Sequence, residues 1–175
     1  MDENFEVGFW QKAYSNVSNL NFDNKIKSMQ YTINRGTLKT NRIISKFKIE
    51  VSELCSFCNT EIETITHLFH SCNLVQEFLR DVYYISLQNW PNFIQFSQKS
   101  FIFTNVYQRK DSPQNFIHLY IKRFIWICRC TGRNLEEESF VRWFKLEIEV
   151  CKMAAHKFKN LNFLLSPEYQ NIFTN

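Results

Sequence analysis

Cys55, Cys58, His67 and Cys72 follow the pattern Cys-x2-Cys-x8-His-x4-Cys. Three thiolates and one imidazole make a soft donor set suited to a tetrahedral Zn²⁺ site. The two-residue gap between Cys55 and Cys58 lets both sulfurs reach one ion. Four protein donors fill a tetrahedral shell and leave no position for water. The expected site is therefore structural, holds a single Zn²⁺ and does no catalysis. His70 is a competing imidazole, but His70-x-Cys72 is a tight spacing for two ligands, which favours His67.

The ligands need particular elements to position them. Thr64 or Thr66 is placed to cap a short helix carrying His67. On a regular helix Cys72, five positions on, is offset from His67 by roughly 140°. The spacing therefore predicts that the helix stops near His70, with Asn73 as its terminator. Val75, Phe78, Leu79 and Val82 then form a helical stripe. Upstream, Phe9, Trp10 and Tyr14 fit a short amphipathic helix. Asp23 can cap a second helix, with Ile26, Met29 and Ile33 on one face and Gly36 closing it at C′. Leu38, Ile43, Ile44 and Phe47 mark a third, whose other face carries Lys39, Arg42 and Lys46. Downstream, Phe101-Ile102-Phe103-Thr104 has strand character. Ser112-Pro113 opens a helix that Gly132 closes. Asn134 is set to cap the last helix, with Glu137 as its capping-box partner. Phe140, Trp143, Phe144, Ile148, Cys151, Ala155 and Phe158 form the apolar face of that helix. The tight turn between these two helices predicts an antiparallel hairpin, on which Cys128, Cys130 and Cys151 read as buried, inert thiols.

Composition agrees with one packed domain: 175 residues, 45% hydrophobic, with only three glycines and three prolines, against a turn-rich β fold. The expected fold is mainly α, a small helical domain with an embedded CCHC zinc knuckle and a C-terminal antiparallel helical hairpin. A basic helical part spans 1–50, the knuckle 51–73 and an aromatic-rich helical body 74–175. Apolar runs are too short for a transmembrane helix, and the N-terminus carries no signal-peptide pattern. Six cysteines without a secretion signal read as metal ligands or buried thiols rather than a disulfide framework, which points to a reducing compartment. The expected location is intracellular, nucleus or cytoplasm, with no membrane partner. There is no Gly-rich phosphate loop, no His-Glu-x-x-His and no paired-carboxylate site, so no enzyme is expected.

The net charge of +4 is unevenly placed. Between Phe22 and Lys48, seven basic residues face one acid, Asp23, a local excess of +6. Lys39, Arg42, Lys46 and Lys48 lie just before the knuckle, with Lys27 and Arg35 as outer positions. Together they are candidate phosphate contacts for RNA or DNA. Phe57, inside the knuckle, is a candidate for stacking on an unpaired base, or for packing over the metal. The alternative is a zinc-stapled structural module whose aromatic surface docks on a protein.

A family resemblance adds to this. Leu38-Lys39-Thr40-Asn41, Lys46-Phe47-Lys48-Ile49, Cys55-Ser56-Phe57-Cys58, Glu63-Thr64-Ile65-Thr66-His67-Leu68-Phe69 and Cys72 together resemble the zinc-binding region that follows the reverse transcriptase of LINE-type (non-LTR) retrotransposons. The helix with Lys122-Arg123-Phe124-Ile125-Trp126 and Arg129 extends the likeness less specifically. The resemblance implies a segment that helps hold template RNA or target DNA near a polymerase, with a reverse transcriptase polypeptide as a partner. The sequence has no Asp-Asp dipeptide and is too short for a polymerase. The chain therefore reads as a separated module, an excised domain or a degenerate remnant.

Overall fold

The computed structural model describes residues 7–18, 23–48, 50–89, 97–104 and 113–157. The predicted amphipathic start is α1 (Val7–Ser18). Its Phe9 and Trp10 rings meet Phe103 edge-on at 5.6 and 5.4 Å. Asp23 accepts the Lys25 N–H at 3.0 Å and so caps α2 (Asn24–Asn34), which buries Ile26, Met29 and Ile33. Gly36 closes α2 at φ +68°. Its N–H reaches Ile33 O, and the Thr37 N–H reaches Thr32 O, the paired bonds that satisfy a helix's last carbonyls.

The third helix departs from expectation. α3 (Asn41–Ile44) is a single turn. Leu38 is buried ahead of it, whereas Phe47, beyond it, is 83% exposed. The Phe47 and Lys48 N–H groups both turn back to Ile44 O, which ends the helix. Lys39 precedes the Thr40 cap and Lys46 follows the helix, so these two and Arg42 do not share a regular helical face.

α4 (Asn73–Asn89) buries Val75, Phe78, Leu79 and Val82 as predicted. The expected strand at Phe101–Thr104 is instead the end of α5 (Gln98–Ile102), capped by the Ser97 hydroxyl. Phe101, Ile102 and Phe103 are all buried. A helical turn can bury three consecutive residues in this way, whereas a strand sends neighbours to opposite faces. Among the described residues no strand forms; one isolated β-bridge joins Leu54 to Ile62.

α6 (Pro113–Thr131) begins at the proline, as the Ser-Pro signal predicts; Ser112 lies outside the described residues. Gly132, at φ +66°, lets the Arg133 N–H close on Cys128 O at 3.0 Å. α7 (Glu137–Lys157) starts later than the Asn134 cap implies. Glu136 fills that role: its carbonyl takes the Phe140 N–H, and its carboxylate takes the Ser139 hydroxyl at 2.8 Å. Phe124 meets Phe140 at 5.4 Å and Phe116 meets Phe144 at 5.8 Å, so α6 and α7 run antiparallel. Phe140, Phe144 and Ile148 are buried; Phe158 lies outside the described residues. Cys128 is buried, but Cys130 is exposed and Cys151 half-buried, which corrects the expectation of three buried thiols. Cys130 sits two residues after Cys128, on the opposite side of α6.

One apolar core runs from α2 through the knuckle to α7. Within it, buried Lys122 of α6 donates to Gln30 Oε1, to Ile102 O at 3.1 Å and to Thr104 Oγ1 at 3.4 Å. These bonds tie α2, α5 and α6 together. Burial holds its ammonium pKa well below the ordinary lysine value. No described helix is long and apolar enough to cross a membrane.

Candidate metal centre

The knuckle is a tight hairpin-like loop. The Cys55 N–H reaches Glu61 O at 2.7 Å, and the Glu63 N–H reaches Glu53 O at 2.8 Å. Between them the Asn59 N–H returns to Cys55 O at 2.9 Å. Asn59 sits at φ +55°, a left-handed conformation that Asn tolerates better than most residues. This turn brings Cys55 and Cys58 to one side.

The second ligand pair sits on an unusual helical turn. Thr64 Oγ1 accepts the His67 N–H at 2.9 Å, so Thr64 rather than Thr66 caps the helix. His67–Ser71 then winds as a π turn, with the Cys72 N–H donating to His67 O at 2.9 Å. This i→i+5 bond stacks Cys72 one turn beyond His67 and removes the offset a regular helix would impose. The helix does stop between His67 and Cys72, at Ser71, as the spacing predicts, but its last turn is widened into a π turn. One expectation is corrected: Asn73 does not terminate it but opens α4. Cys72 is extended (φ −63°, ψ 131°), and its carbonyl takes the Gln76 N–H at 2.8 Å, so the cysteine itself is the N-cap of α4. The π turn packs against α4, α5 and α6, with Leu68 and Phe69 fully buried. The site is thus built into the core rather than appended to it.

The side chains of Cys55, Cys58, His67 and Cys72 converge, with their donor atoms all within 4.8 Å of one another. Cys55 Sγ and Cys72 Sγ are 3.9 Å apart, and Cys58 Sγ and His67 Nε2 are 3.3 Å apart. A tetrahedron with zinc-like bond lengths has S···S edges of roughly 3.8 Å and S···N edges of roughly 3.6 Å. The geometry therefore fits the ion the donor set suggests. His70 is half-buried and lies tilted beside Phe101, with 6.5 Å between ring centres; it is not part of the cluster.

Each sulfur is surrounded by hydrogen-bond donors. Cys55 Sγ accepts the N–H groups of Phe57, at 3.4 Å, and Cys58. Cys58 Sγ accepts the Thr60 hydroxyl at 3.2 Å and the N–H groups of Thr60 and Glu61. Cys72 Sγ accepts the Leu74 and Val75 N–H groups at the start of α4. Burial pushes the Cys55 thiol up to about 12 and raises Cys72, despite those donors. For Cys58 burial also acts upward, but the bonds from Thr60, Glu61 and His67 outweigh it and bring the thiol down to about 6. A divalent cation at the centre would offset the burial penalty on Cys55 and Cys72. Glu61 Oε2 lies 3.2 Å from His67 Nδ1, close enough to favour Nδ1–H and leave Nε2 for a metal, though off the line of a good hydrogen bond.

The sequence reasoning did not foresee what stands behind the knuckle. Glu63 is fully buried. Its Oε2 accepts the Ser56 N–H at 2.8 Å and the Ser56 hydroxyl at 2.6 Å. Its Oε1 accepts the Asn41 N–H at 2.8 Å and both Nε and Nη2 of Arg129, at 3.2 and 3.0 Å. Arg129 also donates to Asn41 Oδ1 and lies over Trp126. Burial alone would raise the Glu63 pKa; the donors from Ser56 and Asn41 and the Arg129 charge hold it below the ordinary glutamate value. The sequence signal was weak: one arginine in an otherwise apolar stretch of α6, needing a counter-charge.

Of the candidate nucleic-acid contacts, Arg35, Lys39, Arg42, Lys46 and Lys48 are exposed and Lys27 is half-buried. None of the six forms an ion pair with a described residue. Phe57 is half-buried and packs against the core.

Residues 6–78 match the family model described as zinc-binding in reverse transcriptase. The match takes in all four cluster residues, Glu63 and the basic stretch. It stops within α4, so Arg129 and the α6–α7 hairpin lie beyond it. Comparisons with curated proteins and with solved structures give no match.

Proposed function

We propose that this chain is a non-catalytic module, stabilised by one structural Zn²⁺, that holds RNA or DNA with little sequence preference. It resembles the segment after a LINE-type reverse transcriptase, and such a polypeptide is its expected neighbour. Cys55, Cys58, His67 and Cys72 would hold the ion. The observation that carries this is a closed Cys₃His cluster in a reverse-transcriptase zinc-binding match, directly preceded by exposed cations that pair with no described residue. Bound zinc would supply no reaction step; it would lock the knuckle to the π turn. Lys39, Arg42, Lys46 and Lys48 would then meet phosphates beside a rigid knuckle, with Lys27 and Arg35 outside them.

The test is a salt titration of RNA, single-stranded DNA and duplex binding. Four phosphate contacts give a log–log slope of about −3 on a single strand, and reversing Lys39, Arg42 and Lys46 together should flatten it by about 2. No affinity at low salt, or affinity indifferent to that reversal, contradicts the proposal. A zinc-stapled protein-docking module is the alternative. Leu146, Val150 and Met153 favour it: they are exposed at 63, 57 and 63% and spaced to share one face of α7.

A further inference from the structure

We infer that Phe47 is a base-stacking platform for single-stranded nucleic acid, an assignment that rests on the nucleic-acid proposal and sharpens it. Phe47 is the most exposed large hydrophobic residue among those described, at 83%; the next, Tyr84, is at 64%. A lone exposed apolar residue is ordinary on a protein surface. The setting of this one is not. It stands between exposed Lys46 and Lys48, with exposed Arg42 one turn back on α3, and none of these cations is paired with a described residue. The backbone that presents it is fixed: the Phe47 and Lys48 N–H groups both bond Ile44 O at 2.9 Å, and the Val51 N–H bonds Lys48 O at 3.2 Å. The ring is therefore held out from a bonded turn. An exposed aromatic between exposed cations in the chain matches a nucleic-acid strand, whose phosphates and unstacked bases alternate along its length. A duplex keeps its bases stacked and offers this ring nothing. Phe57, the aromatic in the knuckle, is half-buried against the core and has less face to give.

The experiment uses the zinc-loaded full chain and three fluorescent probes: oligo(U) RNA, the same strand with abasic sites, and an RNA duplex of matched length. Phe47→Ala should weaken oligo(U) binding by about tenfold. It should leave duplex binding and the salt slope unchanged, since no phosphate contact is lost. Phe47→Trp should restore oligo(U) affinity, and the abasic strand should bind wild type and Phe47→Ala alike. Phe47 is exposed, so loss of fold does not confound these variants. If Phe47→Ala binds oligo(U) like wild type while the Lys39, Arg42 and Lys46 reversal weakens it, the platform is refuted and the nucleic-acid proposal survives. Equal losses on single strand and duplex also refute stacking. Wild type that binds no probe at low salt overturns both, and leaves an acidic protein surface as the partner for this patch.

Discussion

Arg129 Nη2 stands 3.0 Å from Glu63 Oε1, joining residues 66 positions apart. Glu63 lies within the matched zinc-binding stretch and Arg129 outside it. Through Ser56 and Asn41 the same carboxylate also holds the knuckle and the start of α3. One buried acid thus couples the metal-binding loop, the basic segment and the C-terminal hairpin.

That coupling predicts a stability cost. Glu63→Gln keeps the shape but leaves Arg129, whose side chain is 12% exposed, without its counter-charge. Breaking a buried pair from one side costs about 3 kcal/mol. Urea unfolding of the zinc-loaded protein should show a loss of that order. A loss below about 1 kcal/mol would mean that the pair is screened like a surface bridge.

The same carboxylate sets a pH dependence. Its folded pKa is depressed, so the unfolded chain takes up the proton first as pH falls. The stabilisation is complete above the unfolded glutamate value, about 4.3, and is lost as pH drops through the lower folded value. The stability gap between wild type and Glu63→Gln should therefore be constant near neutrality and close below about pH 4. Comparing the two proteins cancels zinc release, which acid drives in both. A gap that widens toward acid would reverse the assigned sign.

Asn59 at φ +55° predicts a conformational preference in the knuckle. Asn59→Gly should be tolerated, because glycine adopts this region without a Cβ clash. Asn59→Val should cost about 1–2 kcal/mol and make zinc easier to withdraw with a competing chelator. Equal chelator sensitivity in the two variants would mean that the turn does not constrain the ligands.

Much of this was readable in the residues. The Cys and His spacing named the cluster that the fold assembles. Asp23, Gly36, Pro113 and Gly132 marked helix ends because capping and left-handed turns are local chemistry. The misses were tertiary. The spacing foresaw a helix that stops before Cys72, but nothing local shows that its last turn widens into a π turn; that turn packs against three helices and buries Leu68 and Phe69. Phe101–Phe103 reads as a strand until the core demands all three side chains. Phe47 reads as part of an apolar stripe until α3 ends at Ile44. The Glu63–Arg129 pair joins distant positions, and only the fold brings them together.

Zinc stoichiometry of the purified full chain, measured beside its stability, decides whether Cys55, Cys58, His67 and Cys72 hold a structural ion. The cluster predicts about one Zn²⁺ per chain, with Cys58→Ser losing both the ion and the folded state of the 51–73 segment. A wild-type chain that folds without zinc, or a Cys58→Ser variant that keeps full zinc and full stability, would contradict it.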